Sequence, residues 1–403
     1  MATSGFQING TDVATTWPDK AYLMDRYPEL ADTFKQAGLW AWGNAGNGQT
    51  GDGTNTERSS PVQTVAAGTN WKQVSHSWNF AAAIKTDGTL WMWGANNFGQ
   101  LGTNSSIPQS SPVQTISGGT NWKLVSAGSY NTAAIKTDGT LWTWGYNNYG
   151  TLGDNSGTDK YSPVQTIAGG TNWKQVSCGK YFAITAAIKT DGTLWTWGYG
   201  GYGALGNNST ASRSSPAQTI AAGTNWKLVD AGAYYAGAIK TDGTLWLWGR
   251  NQYGQLGDGT TVNKSSPVQT ISAGNNWKQL SCGFRTVGAI KTDGTLWLWG
   301  RNQYGQMADN TSVDKSSPVQ TVAGGTNWKS VAMGREYTGA IKTDGTLWMW
   351  GYNANGQLGN NTAGYNTMKS SPVQTIAGGT NWKQVACGYY STVTIRDDSS
   401  DPI

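Results

Sequence analysis

The sequence predicts an all-β fold: a seven-bladed β-propeller of four-stranded antiparallel blades, whose ring is closed by pairing of the N- and C-terminal strands. Three observations support this prediction. A Trp-x-Trp-Gly motif recurs seven times at spacings of 51 to 53 residues. Each repeat holds about four short strand-like segments, and none of them has a helical period. The first and last repeats are incomplete in complementary ways.

The repeats explain the unusual composition of the chain. Of its 403 residues, 23 are Trp but only 6 are Phe. The seven Trp-x-Trp-Gly motifs and seven Asn-Trp-Lys motifs contain 21 of these Trp residues, which therefore belong to the scaffold. We expect Trp144 and Trp173, one from each class, to pack between blades. The motifs begin at Trp40, Trp91, Trp142, Trp195, Trp246, Trp297 and Trp348, and the Trp of Asn-Trp-Lys stands at 71, 122, 173, 226, 277, 328 and 382.

Four strands can be read in each repeat. The segments AAIK and TLWTW flank Asp-Gly, which is a strong hairpin signal because both turn residues tolerate a positive φ. TLWTW and NWKQV alternate between apolar and polar residues, which places one side of each strand inward. SPVQTI begins with Pro, where the missing N–H costs least. A unit of this size cannot bury both faces alone, and radial stacking into a propeller solves that problem.

The two ends of the chain predict how the ring closes. The first repeat begins at Leu39 and lacks the AIKTDG segment before it, whereas the chain ends with an AIKTD-like segment that has no partner after it. We therefore expect residues 392–396 to pair with residues 39–42, so that one blade is built from both ends.

The domain organisation follows from the repeats. Residues 39–398 form the propeller, residues 399–403 a short tail, and residues 1–38 an extension in which residues 28–38 favour a short helix ended by Gly38. The sequence contains no run of 18 apolar residues, so no membrane span is expected. The N-terminus lacks the features of a signal peptide. The net charge of +5 is spread evenly, so neither nucleic acid nor a membrane surface is an expected partner.

The repeat resembles that of the regulator of chromosome condensation family of seven-bladed propellers. The resemblance rests on the order SCG, AAIKTDGTLWTWG and a following Tyr-Gly-x-Leu-Gly, as at Tyr149 to Gly153 and Tyr253 to Gly257, and it covers about residues 37–398. The founding member of that family exchanges nucleotides on a small GTPase, and it does so through a β-wedge inserted in one blade and a basic tail. The resemblance therefore raises the same activity as an expectation to be examined. The repeats here have no wedge-sized insertion and residues 1–38 are not basic, so exchange activity is not expected.

Few residues suit catalysis or metal binding. Cys178, Cys282, Cys387 and His76 occupy equivalent repeat positions, and no second His exists. We expect buried free thiols there, because disulfides need Cα atoms within about 7 Å and separate blades rarely provide this. The sequence therefore predicts no enzyme, no metal and no cofactor.

The other repeated polar residues also suit structural roles. The Asp residues of the Asp-Gly turns, at 87, 138, 191, 242, 293 and 344, are expected to bond their own backbone. Two sets of lysines, at 72, 123, 174, 227, 278, 329 and 383 and at 85, 136, 189, 240, 291 and 342, are expected on solvated outward faces. The loop from Asp154 to Asp159 loosely resembles a calcium loop but lacks its distal Glu, so a turn is expected.

Variable residues predict the binding surface. The tripeptides that follow the inner strand differ in every blade while the scaffold repeats, and propeller symmetry places all seven on one end of the ring. Aromatic residues and Arg are enriched at interfaces. The candidate contacts are Trp78, Tyr130, Tyr181, Tyr234, Tyr235, Arg285, Arg335, Tyr337, Tyr389 and Tyr390. A second variable set after Trp-Gly, with Tyr146, Tyr149, Tyr199, Tyr202, Arg250, Tyr253, Arg301, Tyr304 and Tyr352, ranks lower because its final aromatic repeats like scaffold.

These features favour a non-enzymatic binding propeller. The regular repeats and the non-repeat extension are similar in layout to a virion tail-fibre or baseplate protein. Such a protein would bind virion structural proteins through residues 1–38 and a host surface glycan or protein through the ring, and could form oligomers. The expected location is then the virion. Two alternatives fit the same features: a protein-interaction scaffold in the bacterial cytoplasm, and a sugar-binding, lectin-like propeller.

Overall fold

The computed structural model describes residues 7–8, 11–12, 38–65, 68, 70–181, 184–221, 223–271 and 274–397. Near the N-terminus, β1 (Gln7–Ile8) pairs with β2 (Thr11–Asp12). Residues 28–37 of the predicted helix and the tail from 399 to 403 lie outside the described residues, while Gly38 is the first residue of a strand. No helix in the described ranges has the length and apolarity needed to cross a membrane.

The described ranges from residue 38 onward hold seven four-stranded antiparallel sheets, as predicted. The blades are numbered along the chain. Blade 1 contains β5 (Trp71–His76), β6 (Phe80–Lys85), β7 (Leu90–Gly94) and β8 (Gln109–Gln114); blade 2, β9 (Trp122–Ala127), β10 (Asn131–Lys136), β11 (Leu141–Gly145) and β12 (Lys160–Gln165); blade 3, β13 (Trp173–Cys178), β14 (Ile184–Lys189), β15 (Leu194–Gly198) and β16 (Arg213–Gln218). Blade 4 contains β17 (Trp226–Ala231), β18 (Tyr235–Lys240), β19 (Leu245–Gly249) and β20 (Lys264–Gln269); blade 5, β21 (Trp277–Cys282), β22 (Thr286–Lys291), β23 (Leu296–Gly300) and β24 (Lys315–Gln320); blade 6, β25 (Trp328–Met333), β26 (Tyr337–Lys342), β27 (Leu347–Gly351) and β28 (Lys369–Gln374).

Blade 7 is the clasp that the sequence predicts. It contains β29 (Trp382–Cys387) and β30 (Ser391–Arg396) from the C-terminal end and β3 (Gly38–Gly43) and β4 (Arg58–Gln63) from the N-terminal end. The pairing runs from Gly38 opposite Arg396 to Gly43 opposite Ser391, which confirms and slightly extends the predicted 39–42 with 392–396 register. The ring is therefore held closed by backbone hydrogen bonds between two segments more than 340 residues apart along the chain.

The order of strands within a blade follows their sequence. The Asn-Trp-Lys strand is innermost, because inner strands of neighbouring blades contact one another around the axis. The second strand is almost wholly buried, and the SPVQ strand, with its Pro, is the outer edge. A radial arrangement of this kind leaves only short edges exposed.

The core lies between blades rather than inside one sheet. Leu90 and Met92 of blade 1 pack with Trp122 and Trp144 of blade 2 in one buried cluster, and the two indole centroids are 6.0 Å apart. The Trp144 indole N–H donates to the Gln100 carbonyl of the preceding blade at 2.8 Å. The corresponding Trp makes an equivalent bond in each of the seven blades. Burial of both Trp144 and Trp173 between blades is confirmed.

The Asp-Gly turns are structural, as predicted. Asp87 Oδ1 accepts hydrogen bonds from the Thr89 backbone N–H at 2.9 Å and from its hydroxyl at 2.7 Å. The backbone bond and then the hydroxyl bond lower the pKa of this carboxyl. The other five turns repeat the same pair of bonds.

One set of lysines departs from the prediction of solvated faces. The Lys85 ammonium lies between two indole rings, 4.8 Å from the Trp71 centroid and 4.6 Å from that of Trp91. The same sandwich recurs at lysines 136, 189, 240, 291 and 342, and Arg396 replaces Lys in blade 7. These cations are attracted by the aromatic faces. The first set, represented by Lys72, is exposed as expected.

Candidate functional site

The two variable sets meet at one end of the ring. In six of the blades, within the described residues, a main-chain hydrogen bond joins the turn after the first strand to the loop after the third strand, such as Tyr146 N–H to Tyr130 C=O at 2.9 Å and Arg301 N–H to Arg285 C=O at 3.0 Å. We call this the aromatic end. It comprises the tripeptides that begin at residues 78, 129, 180, 233, 284, 335 and 389 and the loops that begin at 44, 95, 146, 199, 250, 301 and 352. The Asp-Gly turns lie at the opposite end, the Asp–Gly end.

Four side chains of the aromatic end form a closed cluster over the axis of the ring. Trp78 and Tyr389 have ring centroids 3.8 Å apart, and Trp78 stacks on Tyr181 at 5.2 Å. Phe284 completes the circuit, 4.9 Å from Tyr181 and 6.0 Å from Tyr389. These residues come from blades 1, 3, 5 and 7, so the variable positions converge across the ring. We call this group the axial cluster.

Two arginines lie against this cluster. The Arg335 guanidinium is 4.0 Å from the Tyr389 centroid and also bonds the Tyr390 hydroxyl. The Arg285 guanidinium lies 5.0 Å from Phe284 and 5.1 Å from Tyr253. Stacking of this kind fixes a guanidinium while leaving its N–H groups directed elsewhere.

A second tier of aromatic side chains surrounds the cluster. Tyr130 contacts Phe98 at 5.2 Å and Tyr146 at 6.1 Å. On blades 3 and 4, Tyr234 contacts Tyr199 at 5.5 Å. This tier contains most of the second variable set, which the sequence ranked lower, together with Arg250 stacked on Tyr202 and Tyr234 and Arg301 near Tyr253 and Tyr304.

Two predicted contacts are wrong as surface residues. Tyr235 and Tyr337 have no exposed side chain. The Tyr235 hydroxyl donates toward the Gly283 and Thr286 carbonyls, at 3.0 and 2.8 Å, in the next blade. Tyr337 makes the corresponding bond to the Ser391 carbonyl at 2.5 Å. Both tyrosines therefore link neighbouring blades by hydrogen bonds.

The reason for this error is the register of the second strand. Tyr235 and Tyr337 are the first residues of β18 and β26, where the pleat directs the side chain inward. Successive strand residues alternate between faces, so the neighbouring position points the other way. The other eight predicted residues, Trp78, Tyr130, Tyr181, Tyr234, Arg285, Arg335, Tyr389 and Tyr390, are partly exposed at the aromatic end.

Two of the tripeptides contain a non-glycine residue with a positive φ. Tyr234 and Glu336, the middle residues of their tripeptides, have φ of 66° and 65°. Non-glycine residues rarely adopt this region, and such strain clusters at functional sites. The Glu336 carboxylate, which is almost buried, pairs with the Arg301 guanidinium.

A cavity of about 310 Å³ lies beneath the axial cluster, between the inner strands. Lys180 reaches across it from blade 3 and donates to the Met333 carbonyl of blade 6 at 2.5 Å. Asp230 replaces the Ser found at this position in four other blades and accepts from the Ser177 hydroxyl at 2.7 Å and the Cys282 N–H at 2.6 Å. Burial raises the pKa of Asp230, and the Lys180 charge partly offsets this.

The inner strands also hold the thiols and the imidazole. Cys178, Cys282 and Cys387 are buried and free, as predicted. Burial raises the pKa of Cys178 and Cys387 to about 12, which keeps them protonated and unreactive. His76 bonds the Phe80 carbonyl and the Ser391 hydroxyl, each at 2.8 Å, and burial lowers its pKa to about 4.

The loop that loosely resembled a calcium site is held by its own contacts. Asp154 Oδ1 accepts from the Asn147 amide and the Ser156 N–H, both at 3.0 Å, and its other oxygen is 3.5 Å from the Lys160 ammonium. These bonds make it a turn. Among the residues that the structure describes, no group of three or more His, Cys, Asp or Glu could hold a metal ion.

Sequence reasoning missed three features of the aromatic end. The contributions of Phe98 and Phe284 and the merging of the two variable sets depend on contacts between blades that no linear spacing reveals. Lys180 was also passed over, although it is the only Lys among the seven tripeptides. That exception to the pattern was the available signal.

Comparison with known proteins gives a consistent result. The repeat family described as "Regulator of chromosome condensation (RCC1) repeat" matches residues 87–135, 138–186, 191–239, 242–290, 293–341 and 344–395. The chain is 32% identical over 297 residues to the Ultraviolet-B receptor UVR8 of Arabidopsis thaliana, which covers 71% of this chain and 66% of the receptor. It is 28% identical over 292 residues to the human E3 ubiquitin-protein ligase HERC2, covering 70% of this chain but 6% of the ligase. Both matches thus span less than two thirds of these relatives.

A solved structure shows the same fold. The crystal structure of Prp20p from Saccharomyces cerevisiae superposes with a TM-score of 0.77 at 19% identity, covering 92% of this chain and 95% of Prp20p. At this identity the likeness concerns the fold.

Proposed function

Since the chain belongs to the regulator of chromosome condensation (RCC1) repeat family, we propose that it is a non-enzymatic binding propeller that recognises a partner protein through its aromatic end. One observation carries this proposal. Seven scaffold repeats place their variable residues together at one end, where they form a continuous layer of aromatic and arginine side chains. Tyr, Trp and Arg dominate the energetics of protein interfaces.

The relatives support binding rather than catalysis. Prp20p of Saccharomyces cerevisiae has binding properties toward Gsp1p and histones. The match to HERC2 covers 6% of that ligase, so ubiquitin transfer is not part of the proposal. The free thiols and the single His are buried and bonded within the scaffold.

The geometry favours a protein partner over a sugar. Sugars stack on open aromatic faces, whereas the Trp78 face is covered by Tyr389 and Tyr181. A layer whose rings already pack edge to face presents a broad, amphipathic surface of the kind that protein partners bury. A glycan array tests the lectin alternative, since selective binding of one glycan class there would replace this proposal.

Photo-cross-linking from each end tests the proposal. A photoreactive amino acid is placed at Tyr130 or Tyr202 on the aromatic end, or at Lys123 or Lys227 on the Asp–Gly end as matched controls. We expect one protein to be cross-linked from the first pair and not from the second. Cross-linking of that protein from the Asp–Gly end alone would contradict the proposal.

The more specific role stays a prediction from the sequence. In it, the chain is a tail-fibre or baseplate component attached to the virion through residues 1–38, and its support is the regularity of the repeats together with the extension ahead of the ring. Mass spectrometry of purified phage particles tests it: the chain should be present at a fixed copy number. Recovery from the cell cytoplasm instead would favour the scaffold alternative.

A further inference from the structure

Charge is unevenly distributed over the aromatic end. Four arginines face this end from three successive blades: Arg250 on blade 4, Arg285 and Arg301 on blade 5, and Arg335 on blade 6. Their guanidinium groups share aromatic neighbours, because Arg285 and Arg301 both lie over Tyr253. We call this group the arginine cluster.

The arginine cluster is only partly neutralised within the described residues. Glu336 pairs with Arg301 and is the one acidic side chain within the tripeptides. The carboxylates of the surrounding loops are engaged locally. Asp314 accepts from the Asn302 N–H, and Asp258 and Asp309 pair with Lys264 and Lys315. Arg250, Arg285 and Arg335 thus make no ion pair in the described part of the chain.

The contacts of these arginines leave hydrogen-bonding capacity unused. The buried Nε groups of Arg285 and Arg335 have no hydrogen-bond partner within the described residues. Partial burial lowers the pKa of Arg285, and the nearby Arg301 charge acts in the same direction. These two Nε groups are enclosed by the chain itself, so a partner would contact the exposed part of each arginine side chain. Carboxylates match the planar fork of a guanidinium in shape and charge.

We infer that the arginine cluster binds an acidic segment of the partner protein, one that places carboxylates on Arg250, Arg285 and Arg335 and apolar or aromatic side chains on the adjoining axial cluster. This inference rests on the proposed function and names the chemistry of its partner. Stacking on Tyr389 and Phe284 holds the guanidinium groups before binding, which reduces the entropy lost when the complex forms.

Charge argues against a second copy of the chain as the occupant. An isologous contact through the aromatic end would bring the same patch from each copy together. The arginine cluster and the seven tripeptides hold four arginines, Lys180 and one Glu, which is already paired with Arg301, so two copies of this cluster do not complement each other in charge. A partner with free carboxylates satisfies the cluster and a second copy does not.

Synthetic peptides test the inference without knowledge of the natural partner. The probe is a fluorescent 12-residue peptide of four Glu-Glu-Phe repeats, and its controls replace every Glu by Gln or by Lys. We expect the Glu peptide to bind the full chain at least tenfold more tightly than the Gln peptide, and the Lys peptide not to bind. Equal binding of the Glu and Gln peptides would overturn the inference.

Matched variants locate the binding. Arg250→Gln, Arg285→Gln and Arg335→Gln together remove three positive charges from the aromatic end. Lys174→Gln, Lys278→Gln and Lys329→Gln remove three exposed charges from the Asp–Gly end. The first triple should weaken Glu-peptide binding at least tenfold and the second less than twofold. Equal losses would show non-specific attraction and overturn the inference.

Two further measurements keep the test decisive. If the arginine triple has a lowered melting temperature, the single Arg335→Lys variant keeps the charge but loses the planar fork, and a loss of at least threefold is still expected. A short DNA duplex that binds the same arginines more tightly than the Glu peptide would overturn the inference in favour of phosphate. A partner that cross-links from the aromatic end but is unaffected by the arginine triple would refute the inference and leave the proposed function standing.

Discussion

The two ends of the ring are formed by the same strands, but one end repeats its contacts from blade to blade and the other does not. At the Asp–Gly end, six blades repeat one set of contacts, in which Asp bonds Thr and Lys lies between two indole rings. At the aromatic end, the corresponding positions hold Trp, Ser, Lys, Ala, Phe, Arg and Tyr in turn. Variation alone does not show that a position is released from packing, because Tyr235 and Tyr337 vary among the blades and are buried. The comparison shows that the Asp–Gly end repeats its contacts, whereas the aromatic end varies in both its exposed and its buried residues, and we therefore base the proposed contacts on variation combined with exposure.

The largest expected effect comes from opening the clasp, on which both ends of the ring depend. Deletion of residues 391–403 removes β30, which lies between β29 and β3 in blade 7. The deletion should expose a strand edge and an apolar blade face, so we expect loss of soluble folded protein. Circular dichroism and gel filtration measure this. A truncated chain that melts like the full chain would refute ring closure.

Within the scaffold, the two Trp residues of one Trp-x-Trp-Gly motif occupy different environments, one in the core and one partly exposed, and their replacement should cost different amounts of stability. Trp144→Ala creates a cavity between blades and should lower the free energy of unfolding by about 3–5 kcal/mol. Trp142, partly exposed against Lys136, should cost less when replaced by Ala, since a cation–π contact contributes about 0.5–2 kcal/mol. Chemical denaturation of both variants gives the comparison. Equal losses would mean that the Trp144 side chain does not lie in the core.

Replacement of a buried tyrosine distinguishes residues that stabilise the aromatic end from residues that bind the partner. Tyr235→Phe removes a hydroxyl that bonds two carbonyls of the next blade, and it should cost about 1–2 kcal/mol of stability. Because Tyr235 has no exposed side chain, partner binding should be unchanged. A loss of binding larger than the loss of stability explains would return Tyr235 to the contact surface.

The last expected effect is a pH dependence of stability that arises at His76, just beneath the axial cluster. Burial lowers the pKa of His76 to about 4, below the unfolded value of about 6.5, so the unfolded chain takes up this proton more readily. The contribution of neutral His76 to stability should be full above pH 6.5 and decline as the pH falls toward 4. NMR titration of the only His in the chain should show no midpoint between pH 5 and 8. A midpoint near 6.5 would show an exposed imidazole.

Much of the fold could be predicted because it repeats. The clasp, the interblade Trp144 and Trp173 and the Asp87 turn each follow from a motif whose local chemistry decides its structure. The sequence could not predict that Tyr234 is partly exposed while Tyr235 is buried. An uncertainty of one residue in where a strand begins exchanges the inward and outward faces. The axial cluster could not be predicted either, because Trp78 and Phe284 belong to different blades and only the geometry of the ring brings them into one cluster. The sandwich around Lys85 needed the second indole ring, which lies on another strand of the same blade.

The most direct test of the central claim compares binding by variants of the two ends. Arg335→Ala with Tyr389→Ala removes a guanidinium and the aromatic ring beneath it, 4.0 Å apart. Lys278→Ala with Lys329→Ala removes two exposed side chains from the Asp–Gly end. With the partner recovered by cross-linking, and with both variants showing native-like melting, the first pair should weaken binding tenfold or more, about 1.4 kcal/mol, and the second should leave it unchanged. Binding retained by the first pair, or lost by the second, would contradict the assignment of function to the aromatic end.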